Sequence, residues 1–407
     1  MSRIFPIENP HPKATALLRL KARRKLWLQA HVWLGLGFGL FLAIIGLTGS
    51  VLVFWQELDE AINPRLYQAS QATHQNRKSI DELIAAANAV APKGWVSASV
   101  NALHDNGNAV FGFYYPEPDL TPEQAESLTI ALNPTTAEEV TRRVFYHAWN
   151  PLKHCLLGFF FKLHYALFLG ETGVTIVSIL AVIFFVSVMS GLILWWPLTG
   201  NWKRVLTIKR KASAERFNHD LHQTAGFYSL IVLLALLVSG IYFNLPDQFR
   251  WLVEQFSTVT EDAKAVPQPT PPMSAAVLEN ALQKIVSQHP QAEAHYYVFS
   301  PDPTVPFTAC FRNVPELRPY VLTNRCYQLN RHSGEVLAIT DPAHGTGGDV
   351  FMQWQWPLHS GQAFGWTGRI LVCIAGLMCP LLFVTGVIRW LQKRKVKHYR
   401  QAVLNRK

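Results

Sequence analysis

Charge is scarce in this chain. Asp, Glu, Lys and Arg make up 16% of its 407 residues. Four stretches have none at all: 32–55, 172–202, 221–246 and 370–388, of 24, 31, 26 and 19 residues. A hydrocarbon core about 30 Å thick needs roughly 20 helical residues. Each stretch is therefore long enough to span a bilayer, or nearly so in the last case, and four such runs are hard to hide inside a soluble fold. Cysteine is also scarce. None of the five belongs to a Cys-x-x-Cys-His motif, which excludes covalent c-type haem attachment. No small-residue cleavage site follows the first apolar run, which is too long for a signal-peptide core, so a retained helix is expected. Gly35-x-Gly37-x-Gly39 lies within that run and lacks the strand and acidic partner of a dinucleotide fingerprint.

The charge that is present is unevenly placed. The net charge is +10, and 21 of the 37 Lys and Arg residues fall in 1–30, 198–218 and 389–407. The two long connections lean acidic: 57–163 holds 12 acidic and eight basic residues, and 246–360 holds 11 and seven. Basic residues next to spans stay cytoplasmic. Both termini and the short middle loop are thus expected inside, and both long loops outside. The basic clusters read as topology anchors and contacts with anionic membrane lipid, not as a nucleic-acid site. The expected order is a basic segment (1–30), a first span (31–56), an outward domain (57–163), an outward-face segment with a second span (164–197) and a basic loop (198–218). A third span (219–245), a second outward domain (246–358), an outward-face segment with a fourth span (359–390) and a basic tail (391–407) follow.

Each outward loop reads as one helix against a small antiparallel sheet. In the first, a helix over 79–90 precedes strand-like pieces at 96–103, 109–115 and 128–132. In the second, a helix over 274–287 precedes pieces at 295–299, 307–311, 320–322 and 325–329. Asn133 and Asn330 occupy matching places after the last piece of each. The four prolines in 266–272 make a stiff linker, and Gly345-x-Gly347-Gly348 is expected as a turn. An oxidising outer compartment would permit a Cys310–Cys326 bridge, whose geometry sequence does not supply; Cys373 and Cys379 read as apolar filler.

Histidines recur at matched spacings. His31 and His222 are each followed by glycine at offsets 4 and 18: Gly35 and Gly49, Gly226 and Gly240. His164 and His359 are each followed by glycine at 6, 9 and 27 and by tryptophan at 31: Gly170, Gly173, Gly191 and Trp195, then Gly365, Gly368, Gly386 and Trp390. With alternating helix direction, His31 and His222 meet at the inner face, and His164 and His359 at the outer face. Two facing histidines fill both axial positions of a haem iron and suit electron transfer rather than oxygen binding. The plainer alternative, solvation at the bilayer boundary, gives no reason for the repeated spacings. His219, one turn before His222, is an alternative ligand or propionate contact, although only His222 has the His31 offsets. The glycines at these offsets would make room for a flat macrocycle or for close helix packing. Arg369 either snorkels or pairs with a haem propionate; Lys162 and Lys153 are weaker candidates for the latter. His147 and His154, without repeat partners, read as solvated or substrate-adjacent.

The segments Leu163-His164 through Gly173, Asn218-His219-Asp220-Leu221-His222 with Gly226, and Pro357-Leu358-His359-Ser360-Gly361 through Gly368-Arg369 resemble the PepSY-associated transmembrane family. Within it the chain is similar to the FoxB-type inner-membrane ferrisiderophore reductases, which are dihaem proteins. The resemblance implies an integral membrane α-helical fold: four transmembrane helices as a duplicated two-helix unit, with two small periplasmic α+β (PepSY-like) domains, in a bacterial inner membrane. It implies two b-type haems, with His31, His222, His164 and His359 on the iron, and reduction of a ferric siderophore or other ferric chelate at the periplasmic face to release Fe(II). No cytoplasmic segment is long enough or has the βαβ pattern to hold NADPH or flavin, so a quinol or a separate reductase is the expected donor. Two rivals stand beside this: a non-enzymatic sensor or regulatory protein with PepSY domains, and a siderophore or metal permease.

Overall fold

The computed structural model describes residues 12–67, 77–101, 108–114, 127–146, 156–197, 200–260, 275–300, 302, 304–312, 314, 324–341 and 345–404. His147, Lys153, His154, Cys155, the proline-rich 266–272 and the piece expected at 320–322 lie outside the described residues. The chain begins with a long helix α1 (Pro12–Leu52), then α2 (Trp55–Ile62), α3 (Pro64–Tyr67) and α4 (Ile80–Val90). Strands β1 (Val96–Asn101), β2 (Ala109–Tyr114), β3 (Ser127–Leu132) and β4 (Glu139–Tyr146) follow. Next come α5 (Leu156–Ala166), α6 (Gly170–Trp195), α7 (Trp202–Leu206), α8 (Ala214–Asn244), α9 (Pro246–Glu254) and α10 (Ala275–Gln288). Strands β5 (Glu293–Val298), β6 (Phe307–Arg312), β7 (Arg325–Leu329) and β8 (Val336–Thr340) precede α11 (Gly347–Ser360) and α12 (Gly365–Leu404).

Among the described residues, four helical segments are long and apolar enough to cross a membrane: Ala22–Leu52, Gly170–Trp195, Ala214–Asn244 and Gln362–Leu404. The chain divides into two compact units. One comprises Met1–Leu47, Ile179–Leu237 and Ile374–Lys407; the other comprises Thr48–Ser178 and Val238–Cys373. In the first, Leu233, Ala375 and Cys379 are buried among Leu42, Val232, Leu236 and Leu382. There α1 and α12 approach so closely that a Cβ at Gly46 would stand 2.6 Å from Cys379 Cβ, the small-residue contact expected between apolar helices.

The second unit carries one eight-stranded antiparallel sheet in the order β4-β3-β2-β1-β5-β6-β7-β8. This differs from the two separate small sheets expected. β1 and β5 would each be an open edge, and edge strands expose unpaired backbone groups. Their pairing, Ser99↔Val298, Val100↔Tyr297 and Asn101↔Tyr296, closes both edges. One core results, with Leu83 of α4 and Leu278 of α10 buried together with Phe111, Ile130, Phe307, Phe311 and Leu329 of the sheet. The burial alternates along β7, as a strand with one covered face requires. Helices α4 and α11 have capped starts. Ser79 accepts from the Glu82 N–H and Glu82 reaches back to the Ser79 N–H, a capping box. Gly345-x-Gly347-Gly348 is not a free turn but the opening of α11, capped by the same reciprocal bonds between Thr346 and Asp349. Cys310 and Cys326, directly opposed on β6 and β7, form a disulfide.

Candidate functional site: two histidine pairs

His31 on α1 and His222 on α8 lie in the first unit with ring centres 6.2 Å apart and planes at 78°. His31 Nδ1 is 3.0 Å from the Ser187 carbonyl and 3.0 Å from Ser190 Oγ on α6. A carbonyl only accepts, and the Ser190 hydroxyl already donates to Ser187 O at 2.6 Å, so Nδ1 carries the proton. His222 Nδ1 is 2.8 Å from Thr385 Oγ1 on α12. That hydroxyl donates to Leu381 O at 2.7 Å, so His222 too donates from Nδ1. The tautomer set by one ring nitrogen decides the role of the other: both Nε2 atoms keep a lone pair able to bind a metal. Glycine follows each hydroxyl. A Cβ on Gly191 would stand 3.1 Å from His31 Cε1, and one on Gly386 3.5 Å from His222 Cε1.

The second unit holds the same arrangement. His164 on α5 and His359 on α11 have ring centres 6.0 Å apart and planes at 68°. His164 Nδ1 lies 3.1 Å from Thr48 Oγ1 on α1, and His359 Nδ1 2.8 Å from Ser239 Oγ on α8. Gly49 and Gly240 follow those hydroxyls; their Cβ atoms would stand 2.8 Å from His164 Cε1 and 3.7 Å from His359 Cε1. Both histidines end short helices that precede a long one in the chain, α5 before α6 and α11 before α12. Gly170 (φ +55°) opens α6 and Gly365 (φ +56°) opens α12, each in a backbone conformation that favours glycine. A Cβ on Gly173 would strike Ala166 O, and one on Gly368 would strike Gly361 O. These four glycines therefore make the helix breaks that present His164 and His359, rather than room for a macrocycle.

A first-row metal–imidazole bond of about 2 Å plus roughly 1.1 Å from nitrogen to ring centre puts two imidazoles on opposite sides of one metal with centres about 6.2 Å apart. The two observed separations match that figure. A sequence profile of the PepSY-associated TM region matches residues 28–393. The chain belongs to this family. No curated protein shows significant similarity to the chain. As a PepSY-associated TM protein with four long apolar helices, it is a multi-pass membrane protein.

The other sequence candidates of this PepSY-associated TM protein are placed differently. The ring contact of His31 is with His222; His219 is about two-fifths exposed and turned to Asp220, with Nδ1 3.3 Å from Oδ1. Arg369 is engaged by protein. It donates to both Glu57 carboxylate oxygens at 2.6 Å and to Val53 O at 2.9 Å, and it lies over the Phe54 and Trp366 rings. The Arg369 hydrogen bond holds the Glu57 carboxyl below its ordinary range. A propionate would have to displace Glu57. Lys162 is buried, donates to Tyr165 OH and lies over the Tyr146 ring. A cavity of about 500 Å³ lies beside α11, lined by Tyr242, Asp247, Arg250, Asp341, Met352 and Gln353 among others. Sequence reasoning missed Thr48, Ser190, Ser239 and Thr385. The signal was present, since each immediately precedes a glycine of the repeated spacing.

Proposed function

We propose that this PepSY-associated TM protein is a dihaem oxidoreductase of the bacterial inner membrane that reduces a ferric chelate, a ferric siderophore above all, at the periplasmic face. The observation that carries the reading is the pair of histidine couples, with ring centres 6.2 and 6.0 Å apart and every Nδ1 engaged by a hydroxyl. The donor set fits haem better than a bare ion. Among the described residues no group of three or more His, Cys, Asp or Glu side chains could hold a metal. A tetrahedral ion would lack ligands, whereas haem iron asks the protein for axial ones alone. The bare helix face at Gly35, where a Cβ would meet nothing within 4 Å, lies one turn beyond His31 and suits a flat ring.

Held between the imidazoles, haem would supply a one-electron Fe(III)/Fe(II) couple. The protein's own part is to hold and orient. His31 and His222 form one seat and His164 and His359 the other, while the apolar helices keep water out. The basic clusters at 1–30, 198–218 and 389–407 support a cytoplasmic placement for both termini and the middle loop, with the duplicated helix pairs spanning the membrane and both PepSY-like parts of the sheet on the periplasmic side. A quinol or separate reductase supplies one electron per iron. The chelate is taken up beside α11, where the 500 Å³ cavity is of small-ligand size. Iron reduced to Fe(II) loses affinity for hard oxygen ligands and leaves the chelator.

The deciding experiment is an absorption spectrum of the purified protein. Dithionite should give sharp α and β bands amounting to two haems per chain, and a colourless protein ends the redox reading. In protein-containing vesicles, Fe(II) captured by a ferrous indicator without movement of labelled chelate is the expected result. Accumulation of intact chelate would instead make the protein a permease.

A further inference from the structure

We propose that Thr48, Ser190, Ser239 and Thr385 are positioning residues: their hydroxyls fix the four imidazoles as Nε2 ligands and set how strongly each donates to iron. The inference rests on the haem reading above. All four hydroxyl residues are buried, at 3%, 0%, 0% and 3% exposure, and a buried hydroxyl needs a partner. In an apolar helix that partner is ordinarily the carbonyl one turn back. Ser178 and Ser229 do just this, donating to Val174 O and Ala225 O at 2.8 Å. The four named residues do something more, since each meets the Nδ1 of one histidine at 2.8–3.1 Å.

The pairing is systematic. Every hydroxyl residue is followed by a glycine whose missing Cβ faces the Cε1 of the same ring. The hydroxyl thus anchors one ring atom while the glycine lets the helix backbone come up against the next. Helices α1 and α8 each carry a ligand and, 17 residues later, a seat: His31 then Thr48, His222 then Ser239. A hydrogen bond from Nδ1–H to an acceptor raises the basicity of the metal-bound nitrogen, which favours Fe(III). Removing the acceptor should raise the proportion of Fe(II) at a given potential.

The threonines allow a clean test, because valine keeps their shape without the hydroxyl and serine keeps the hydroxyl without the methyl. Holoprotein carrying Thr385→Val, Thr385→Ser, Thr48→Val or Thr48→Ser is titrated potentiometrically with optical detection, with Ser229→Ala as control. Each valine variant should raise the Fe(II):Fe(III) ratio of one of two transitions by on the order of tenfold, about 59 mV for a one-electron couple. Thr385→Val and Thr48→Val should move different transitions, while the serine variants and Ser229→Ala titrate as the parent. Loss of pigment in the valine variants with retention in the serine variants supports the same role. Valine variants that titrate as the parent overturn the proposal. So do serine variants that shift or lose pigment as the valine variants do, since packing would then be responsible. A parent protein without pigment fails at the haem reading instead, before any variant is compared.

Discussion

Asp59 is fully buried in the sheet-bearing unit, and its carboxylate is fully engaged. Arg143 donates to both oxygens, Tyr67 OH to one and Asn63 to the other. Burial pushes the Asp59 carboxyl up, but these donors outweigh it and hold it below its ordinary range. Removing one member of a buried ion pair leaves the other uncompensated, at about 3–5 kcal/mol. Arg143→Met should accordingly lower the thermal midpoint in detergent sharply, whereas Lys78→Met, in an exposed pair with Glu82, should leave it within about 0.5 kcal/mol. Asp81 is the opposite case. One of its oxygens is buried without a hydrogen-bond partner among the described residues. Burial and then Glu279 push its carboxyl up to about 6, against the pull of Arg331. Folding therefore favours the protonated form: the penalty is absent below about pH 4, where an ordinary carboxyl is also protonated, and complete above about 6. Asp81→Asn should raise the thermal midpoint at pH 8 and bring no gain at pH 4; an equal gain at both would contradict this.

The two halves of the sheet end in the same turn, built with different residues. Asn133 Oδ1 accepts from Thr135 N and Thr136 N, and Asn330 Oδ1 from His332 N and Ser333 N. The turn closes through Ala137 (φ +62°) in one half and Gly334 (φ +68°) in the other. A side chain at positive φ costs about 1–2 kcal/mol. A Cβ on Gly334 would in addition stand 3.1 Å from Val277 O. Gly334→Ala should destabilise by at least that amount. Ala137→Gly should be nearly neutral, since relief of φ strain is offset by loss of a methyl packed against the core, worth about 0.8 kcal/mol. Midpoints of the two variants in detergent measure both. The apolar runs and most strands were legible in sequence because their periodicity is local. The edge strands β4, with charged Glu139, Arg142 and Arg143, and β8, a short apolar run largely left exposed, carry no such alternation of burial. The β1–β5 seam joins residues almost two hundred positions apart, which no local pattern encodes. Helix α1 begins well before its apolar run because residues 12–30 favour helix while being too charged to span. The glycine spacings were visible, but counted from the wrong histidine: Gly49 lies 18 residues after His31 yet seats His164, and Gly191 lies 27 after His164 yet seats His31.

At the scale of the whole molecule, the residues described at the two histidine sites fall in different units. His31, His222, Ser190, Gly191, Thr385 and Gly386 all belong to the first unit, and His164, His359, Thr48, Gly49, Ser239 and Gly240 to the second. Groups in one contact network are non-additive, whereas groups without shared partners add. If each unit holds its own haem, His31→Ala should remove one of two haems per chain, and His31→Ala with His222→Ala should remove no more. His31→Ala with His164→Ala should remove both. Pyridine-haemochrome content per chain reads this directly, at two, one, one and zero for the parent and the three variants. Loss of all pigment on any single substitution would mean that the four histidines act as one cooperative site. Retention of both haems in His31→Ala would remove that residue from the ligand set. Within a site, the imidazole left alone after one substitution keeps its hydroxyl seat. Free imidazole added to His31→Ala, in the place of the lost ring, should therefore restore the missing band without altering the other.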